Sequence, residues 1–163
     1  GLRAAYRLAD PEGSLPRWRA LEVDETCCTT YSELFGAPLV GGVRQQRRWE
    51  YAPGQDEIWR CSIDKLPREA FEGADLWLLS PPGQPFTTPG NRRDEKDSRN
   101  AALLMLMKVL PKLKQGPKAL FLEGPPAMVG TKVLAKVQTT LKKAGFDVQA
   151  GVLDATSFGF PSA

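Results

Sequence analysis

The chain has 163 residues, 42% of them hydrophobic and 25% charged, with a net charge of +3, the profile of one globular domain able to bury a core. Histidine is absent, which excludes histidine-based triads, most catalytic zinc sites and the usual general base, so no metal site is expected. No apolar run approaches the ~20 residues needed to cross a bilayer, so no membrane partner is expected, and the first six residues lack the apolar stretch of a signal peptide.

Leu2–Leu8 reads as the end of a short helix, stopped by Asp10-Pro11-Glu12-Gly13. Trp18–Val23 reads as a strand that closes on Glu22 and Asp24, and Thr26–Leu34 as a helix broken by Phe35-Gly36-Ala37-Pro38. That helix carries Cys27 and Cys28; with Cys61 the cysteines are odd in number and lack C-x-x-C spacing. They read as reduced thiols of an intracellular protein, with cytoplasm, nucleus and organelle left open.

Residues 36–60 are rich in Gly, Arg and Gln and are open between hairpin and loop; they read as an atypical insertion within a single 1–163 domain. Inside them Arg47 and Arg48 precede Trp49, a grouping that suits phosphate contact and base stacking, though a loop packed on neighbouring protein fits as well. Ile63-Asp64 reads as the end of a short strand and Pro67–Phe71 as one helical turn.

Ala74–Leu79 is an apolar strand, and Ser80-Pro81-Pro82-Gly83-Gln84-Pro85-Phe86-Thr87 follows it. Its prolines force an extended, rigid turn, because each fixes its own φ and pushes the preceding residue out of the helical region. Arg99–Leu110 is apolar nearly all round and predicts a buried helix ended by Pro111. Lys118–Glu123 predicts another strand. Thr131–Lys143 sets Val133, Leu134, Val137 and Leu141 on one stripe, with Gly145 at the position that closes a helix. Val148–Leu153 reads as a last strand.

Alternating strands and helices imply an α/β fold with a mostly parallel sheet flanked by helices. The breaks Ser80-Pro81-Pro82 and Gly124-Pro125-Pro126 both follow strands, so both fall on the carboxyl edge, where such sheets bind ligands. Residues 91–118 hold eight basic side chains against three acidic ones, and the helix at 131–143 adds four lysines and no acid. Arg92, Arg93 and Arg99 are thus candidate phosphate ligands, while a solvated basic face accounts for them equally.

The octet at Ser80–Thr87 resembles the Pro-Pro-Cys-Gln-Pro-Phe catalytic loop of the cytosine-5 methyltransferase family, with Gly83 where the nucleophilic cysteine stands. Ile63-Asp64-Lys65-Leu66 resembles that family's third motif. Phe121-Leu122-Glu123 resembles its strand bearing a glutamate. Asp97-Ser98-Arg99, Leu110-Pro111-Lys112-Leu113, Pro117-Lys118 and Ser157-Phe158-Gly159-Phe160-Pro161 are similar to the tRNA-methylating branch.

The resemblance implies a Rossmann-like S-adenosylmethionine-dependent methyltransferase sheet and methyl transfer to carbon 5 of a flipped-out cytosine, in RNA rather than DNA. It implies that Glu22, Asp64 and Gly1 contact the cofactor and that Glu123 holds the base. Pro82 and Gln84 shape the loop around Gly83. Gly1 matches the last residue of the family's glycine-rich loop, so the first strand and the C-terminal target-recognition region are read as missing. That strand would lie between the Glu22 and Leu79 strands, which leaves two readings: a piece of something longer, or a sheet completed by another protein chain.

Two departures bear on activity. Gly83 has no nucleophile, and the family's Glu-Asn-Val reads Glu123-Gly124-Pro125. The expectation is a catalytically silent member, with cofactor binding left open between kept and lost, that serves as an RNA-binding or scaffolding component of a ribonucleoprotein assembly. The alternatives are a fragment of an active tRNA or DNA cytosine-5 methyltransferase whose cysteine was replaced at Gly83, and a regulator that binds only S-adenosylmethionine or a nucleotide.

Overall fold

The structure is a computed structural model and describes Leu8, Glu12 and residues 16–41, 56–86 and 97–160. The readings for Gly1, Arg47, Arg48, Arg92 and Arg93, and for all but the last residue of the Leu2–Leu8 helix, lie outside the described residues. The chain forms two compact units, residues 1–70 and 71–163.

The first unit holds strand β1 (Arg19–Glu22), helix α1 (Glu25–Phe35), β2 (Leu39–Gly41) and β3 (Glu57–Arg60). The strands are all parallel, in the order β1-β3-β2. Helix α1 starts where the Asp24 carboxylate accepts a hydrogen bond from the Cys27 amide at 2.9 Å, a cap that holds this carboxyl below its ordinary pKa. It stops at Gly36, whose φ of +61° favours a residue without a Cβ. Cys28, Ala37 and Ile58 form the core, with Ala20 and Tyr31 packed on it.

Segment 36–60 supplies two strands of this sheet. Because β2 and β3 run parallel, no tight hairpin can join them; a parallel pair requires a crossover. Ile63–Lys65 is a 3-10 turn rather than a strand end, since β3 has already closed at Arg60. Across β1 and β3, Arg19 and Glu57 face each other in register. Arg19 Nε donates to Glu57 Oε1 at 2.6 Å, with side-chain exposures of only 3% and 10%, and the guanidinium lies 3.9 Å from the centre of the Trp59 ring.

The second unit contains β4 (Leu76–Leu79), α2 (Ala101–Val109), β5 (Ala119–Leu122) and α3 (Lys132–Lys143). Strands β4 and β5 pair in parallel, Leu76 to Ala119 through Leu79 to Leu122. Successive side chains alternate between faces, so Trp77 is buried while the paired Leu78 and Phe121 stay exposed. Helix α2 buries Leu103, Leu106 and Met107 and passes into a 3-10 turn containing Pro111.

Helix α3 is capped by Thr131, whose hydroxyl accepts from Leu134 N at 3.2 Å. It ends with Gly145 at φ +90° and with Phe146 N donating to Leu141 O at 3.0 Å, the closure expected of a glycine just past a helix end. Val133, Val137 and Leu141 are buried as the stripe requires.

Two expectations need correction or refinement. No strand forms over Val148–Leu153: these residues are irregular, and Val152 and Leu153 are 61% and 77% exposed. An apolar stretch becomes a strand only where a neighbouring edge satisfies its backbone, and no described strand runs beside it. The strands also divide into a three-stranded and a two-stranded sheet rather than one continuous sheet. Both β1 and β4 therefore have an edge without a strand neighbour among the described residues, and these are the strands of Glu22 and Leu79 beside which a missing strand was expected.

Candidate active site

In the second unit, the parallel register that pairs Leu79 with Leu122 brings the next residues, Ser80 and Glu123, side by side at the carboxyl edge. Glu123 N donates to Leu79 O at 2.9 Å and extends the ladder by one step. The Ser80 hydroxyl then donates to Glu123 Oε2 at 2.7 Å. Sequence reasoning missed this bond, although the signal was present: both residues directly follow strands that the β-α-β order makes parallel neighbours.

Beyond Ser80 the two prolines lead into a turn closed by Phe86 N donating to Gly83 O at 3.0 Å. Pro85 and Phe86 are buried and anchor the turn, whereas Pro82 and Gln84 are exposed and Gly83 is half-buried. Gly83 is not among the glycines with positive φ, so its backbone does not require glycine. A Cβ built there would meet only the Pro125 ring, at 3.4 Å for the nearest atom, which is ordinary contact. Gly124 differs: a Cβ there would stand 3.0 Å from the sulfur of Met128, a buried residue held by its amide's bond to Pro125 O at 2.8 Å. Pro82, Gly83, Gln84 and Glu123 are thus gathered on two adjoining loops, with Ser80, Pro125 and Met128 as members that sequence reasoning did not single out.

Arg99 is committed locally. Its Nε and Nη2 donate to the two oxygens of Asp97 at 2.9 and 2.7 Å, which pushes the guanidinium pKa up. Asp97 also accepts from the Arg99 amide at 3.0 Å and is buried. A phosphate would have to compete with a bidentate carboxylate already in place.

In the first unit, Glu22 ends β1 and its Oε1 accepts from the amides of Val23 and Asp24 at 2.6 and 2.9 Å. Its second oxygen has no protein partner among the described residues, so it fits a ligand hydroxyl. Asp64 is more occupied: Ser62 Oγ donates to it and Lys65 Nζ stands 3.6 Å away, and the Ser62 bond holds its carboxyl below the ordinary range. Asp24 pushes the Cys27 pKa up, burial raises Cys28, and burial raises Cys61 to about 11. Among the described residues no group of acids and cysteines is arranged to hold a metal ion, and no helix is long and apolar enough to cross a membrane.

This arrangement of parallel strands, flanking helices and edge loops is that of a Rossmann-like methyltransferase. The Entamoeba histolytica methyltransferase EhMeth superposes with a TM-score of 0.65 over 88% of this chain and 40% of that one, at 22% identity. The S. pombe Dnmt2 methyltransferase does so at 0.57 over 87% and 36%, at 19% identity. The C-5 cytosine-specific DNA methylase family matches residues 18–163, and the chain belongs to that family. Its members generally use S-adenosylmethionine.

Relatives include the human tRNA (cytosine(38)-C(5))-methyltransferase, 33% identical over 116 residues, which are 70% of this chain and 30% of that protein. Its counterpart in Schizosaccharomyces pombe is 31% identical over 61% of this chain and 31% of its own length. The chain thus spans about three tenths of the curated relatives it matches.

Proposed function

We propose that this protein is a catalytically silent cytosine-5 methyltransferase homologue that retains a base-recognition carboxylate and acts by binding RNA, as a scaffolding component of a ribonucleoprotein assembly. The observation that carries this reading is the pair of loops at Gly83 and Gly124. At the first, the nucleophile position has neither a side chain nor a backbone reason to lack one. At the second, Met128 sulfur occupies the space beside the position where the family has an amide. Gly83 brings no reactive group to one loop, and Gly124 brings no amide to the other.

The chemistry makes the loss decisive. A pyrimidine C5 is a poor nucleophile until a thiolate adds to C6. Nothing on these loops replaces the thiolate. Ser80 is the nearest hydroxyl, but its proton is donated to Glu123, and a carboxylate is too weak a base to ionise an alcohol. The bond orients Glu123 instead, presenting its other oxygen to a base edge. Glu22 would hold the ribose of S-adenosylmethionine through its open oxygen, and Asp64 would lie near the adenine; bound, that cofactor would supply the methyl group. RNA is the favoured nucleic acid because most of the curated relatives are tRNA methyltransferases, although one is a DNA (cytosine-5)-methyltransferase. Arg47, Arg48, Arg92 and Arg93 are the proposed phosphate contacts, with Arg99 contributing only if it leaves Asp97.

The test is methyl incorporation from labelled S-adenosylmethionine into tRNA and DNA by the product of the complete gene, beside an RNA-binding titration at several salt concentrations. Expected are no incorporation above blank and RNA affinity that falls steadily with salt. Turnover on either nucleic acid would overturn the reading. Ser80→Ala should weaken binding of cytidine monophosphate about two- to fivefold, since one exposed hydrogen bond to a charged acceptor is worth about 1 kcal/mol or less, and Ser80→Thr should restore it. Equal affinity across these variants, measured by calorimetry, would remove Ser80 from the site.

A second reading, an active enzyme whose cysteine was replaced, is favoured by the free space at Gly83. The Gly124 and Met128 contact speaks against it.

A further inference from the structure

The second unit has a groove of about 420 Å³ between α2 and α3. Met107, Pro111 and Ala144 give it apolar walls, and Lys108, Lys112 and Lys143 stand around them. Among the described residues no acidic side chain lines it and none of these lysines makes an ion pair. It lies at the opposite end of the sheet from Ser80 and Glu123. The chain leaving α2 reaches the amino edge of β4, where Glu72 accepts from the amides of Lys114 and Gln115 at 3.1 and 2.7 Å, and Gly73 N donates to Gln115 O at 2.8 Å.

Lysines in the last turns of two helices complement the helix dipoles. That accounts for the charges; between them Pro111 and Ala144 stand exposed, with the buried Met107 beneath.

We infer that this groove docks an acidic segment of another protein, with one aliphatic side chain seated against Met107, Pro111 and Ala144 and flanking carboxylates on Lys108, Lys112 and Lys143. Charge complementarity sets the sign of the partner. The lining sets its class. Lysines serve phosphate and carboxylate alike, but a single strand also stacks its bases on aromatic platforms, and among the described residues this groove offers no aromatic ring. An aliphatic side chain ringed by carboxylates uses both halves of the surface. The inference does not rest on the proposed RNA role, because it draws on no residue of the edge loops.

The probe is a fluorescein-labelled peptide built on Glu-Glu-Leu-Glu-Glu repeats, followed by anisotropy with the whole protein, beside a control with serine for every leucine and a single-stranded RNA. The leucine peptide should bind. The serine control and the Lys112→Glu/Lys143→Glu variant should each bind at least about tenfold more weakly, with the variant's urea midpoint unchanged. Lys112→Met/Lys143→Met, which removes charge without reversing it, serves if the first variant is unstable. Failure of the peptide to bind, equal binding of the serine control, or displacement of the peptide by RNA at the lysine-sensitive site would each overturn the inference, the last assigning the groove to nucleic acid.

Discussion

Glu57→Gln should cost the first unit about 3–5 kcal/mol, because removing one partner of a buried ion pair strands the other charge. The Arg19 side chain is 3% exposed and its Nε lies 2.6 Å from Glu57 Oε1. Among the described residues the Ala70 carbonyl also accepts from Nη1 at 3.4 Å, and the Trp59 face lies 3.9 Å away as a weak counter-charge. Glutamine keeps the shape and an acceptor oxygen, so any loss measures the missing charge. Urea unfolding followed by Trp59 fluorescence reads it as a lowered midpoint with an unchanged slope. The control is Arg19→Met/Glu57→Leu, which replaces both charges by apolar groups of similar volume and should recover most of the loss. If the single and double variants unfold alike, the pair is not what holds β1 to β3.

That pair also marks where sequence reasoning stopped. Strands β1, β4 and β5 and helices α1, α2 and α3 were legible from apolar runs bounded by Asp24, Gly36, Pro111 and Gly145, since hydrophobic period and end signals are local properties of the chain. The segment 36–60 was not, because a strand whose residues Glu57, Ile58 and Trp59 are all buried shows no alternation, and its glutamate reads as a surface residue until Arg19 is known to face it. Val148–Leu153 failed for the opposite reason: its residues suit a strand, but strands need neighbours, which are a tertiary fact. At the edge loops, Glu123 and Gly83 were singled out through the resemblance to Pro-Pro-Cys-Gln-Pro-Phe, and the register of β4 and β5 sets Glu123 beside Ser80, at the head of the Gly83 loop. The bond from Ser80 to Glu123 and the approach of Met128 to Gly124 depend on which side chains the register places together.

Gly83→Cys should fold, expose a reactive thiol and still transfer no methyl group. Folding is expected because the backbone at 83 is ordinary and a Cβ would meet only Pro125, at 3.4 Å. The thiol should react with a disulfide reagent, since the position is half-buried, whereas Cys28 is fully buried. Silence is expected because the neighbouring loop no longer offers its amide: Gly124 has no side chain, and Met128 sulfur at 3.0 Å would oppose one. Without that brace nothing holds the new sulfur over C6 of the base, and misplacement of about 1 Å costs on the order of a hundredfold in rate. A working enzyme would exceed the uncatalysed reaction by at least about a millionfold, so the two outcomes lie far apart in a methyl-incorporation assay. Gly83→Cys/Gly124→Asn/Met128→Ala carries the argument one step further by returning both groups and clearing the space between them. Activity in the triple variant alone would show that the second loop, not the lost sulfur, is the deeper block. Activity in Gly83→Cys by itself would show that the site was intact but for one atom, and the silent-homologue reading would fall.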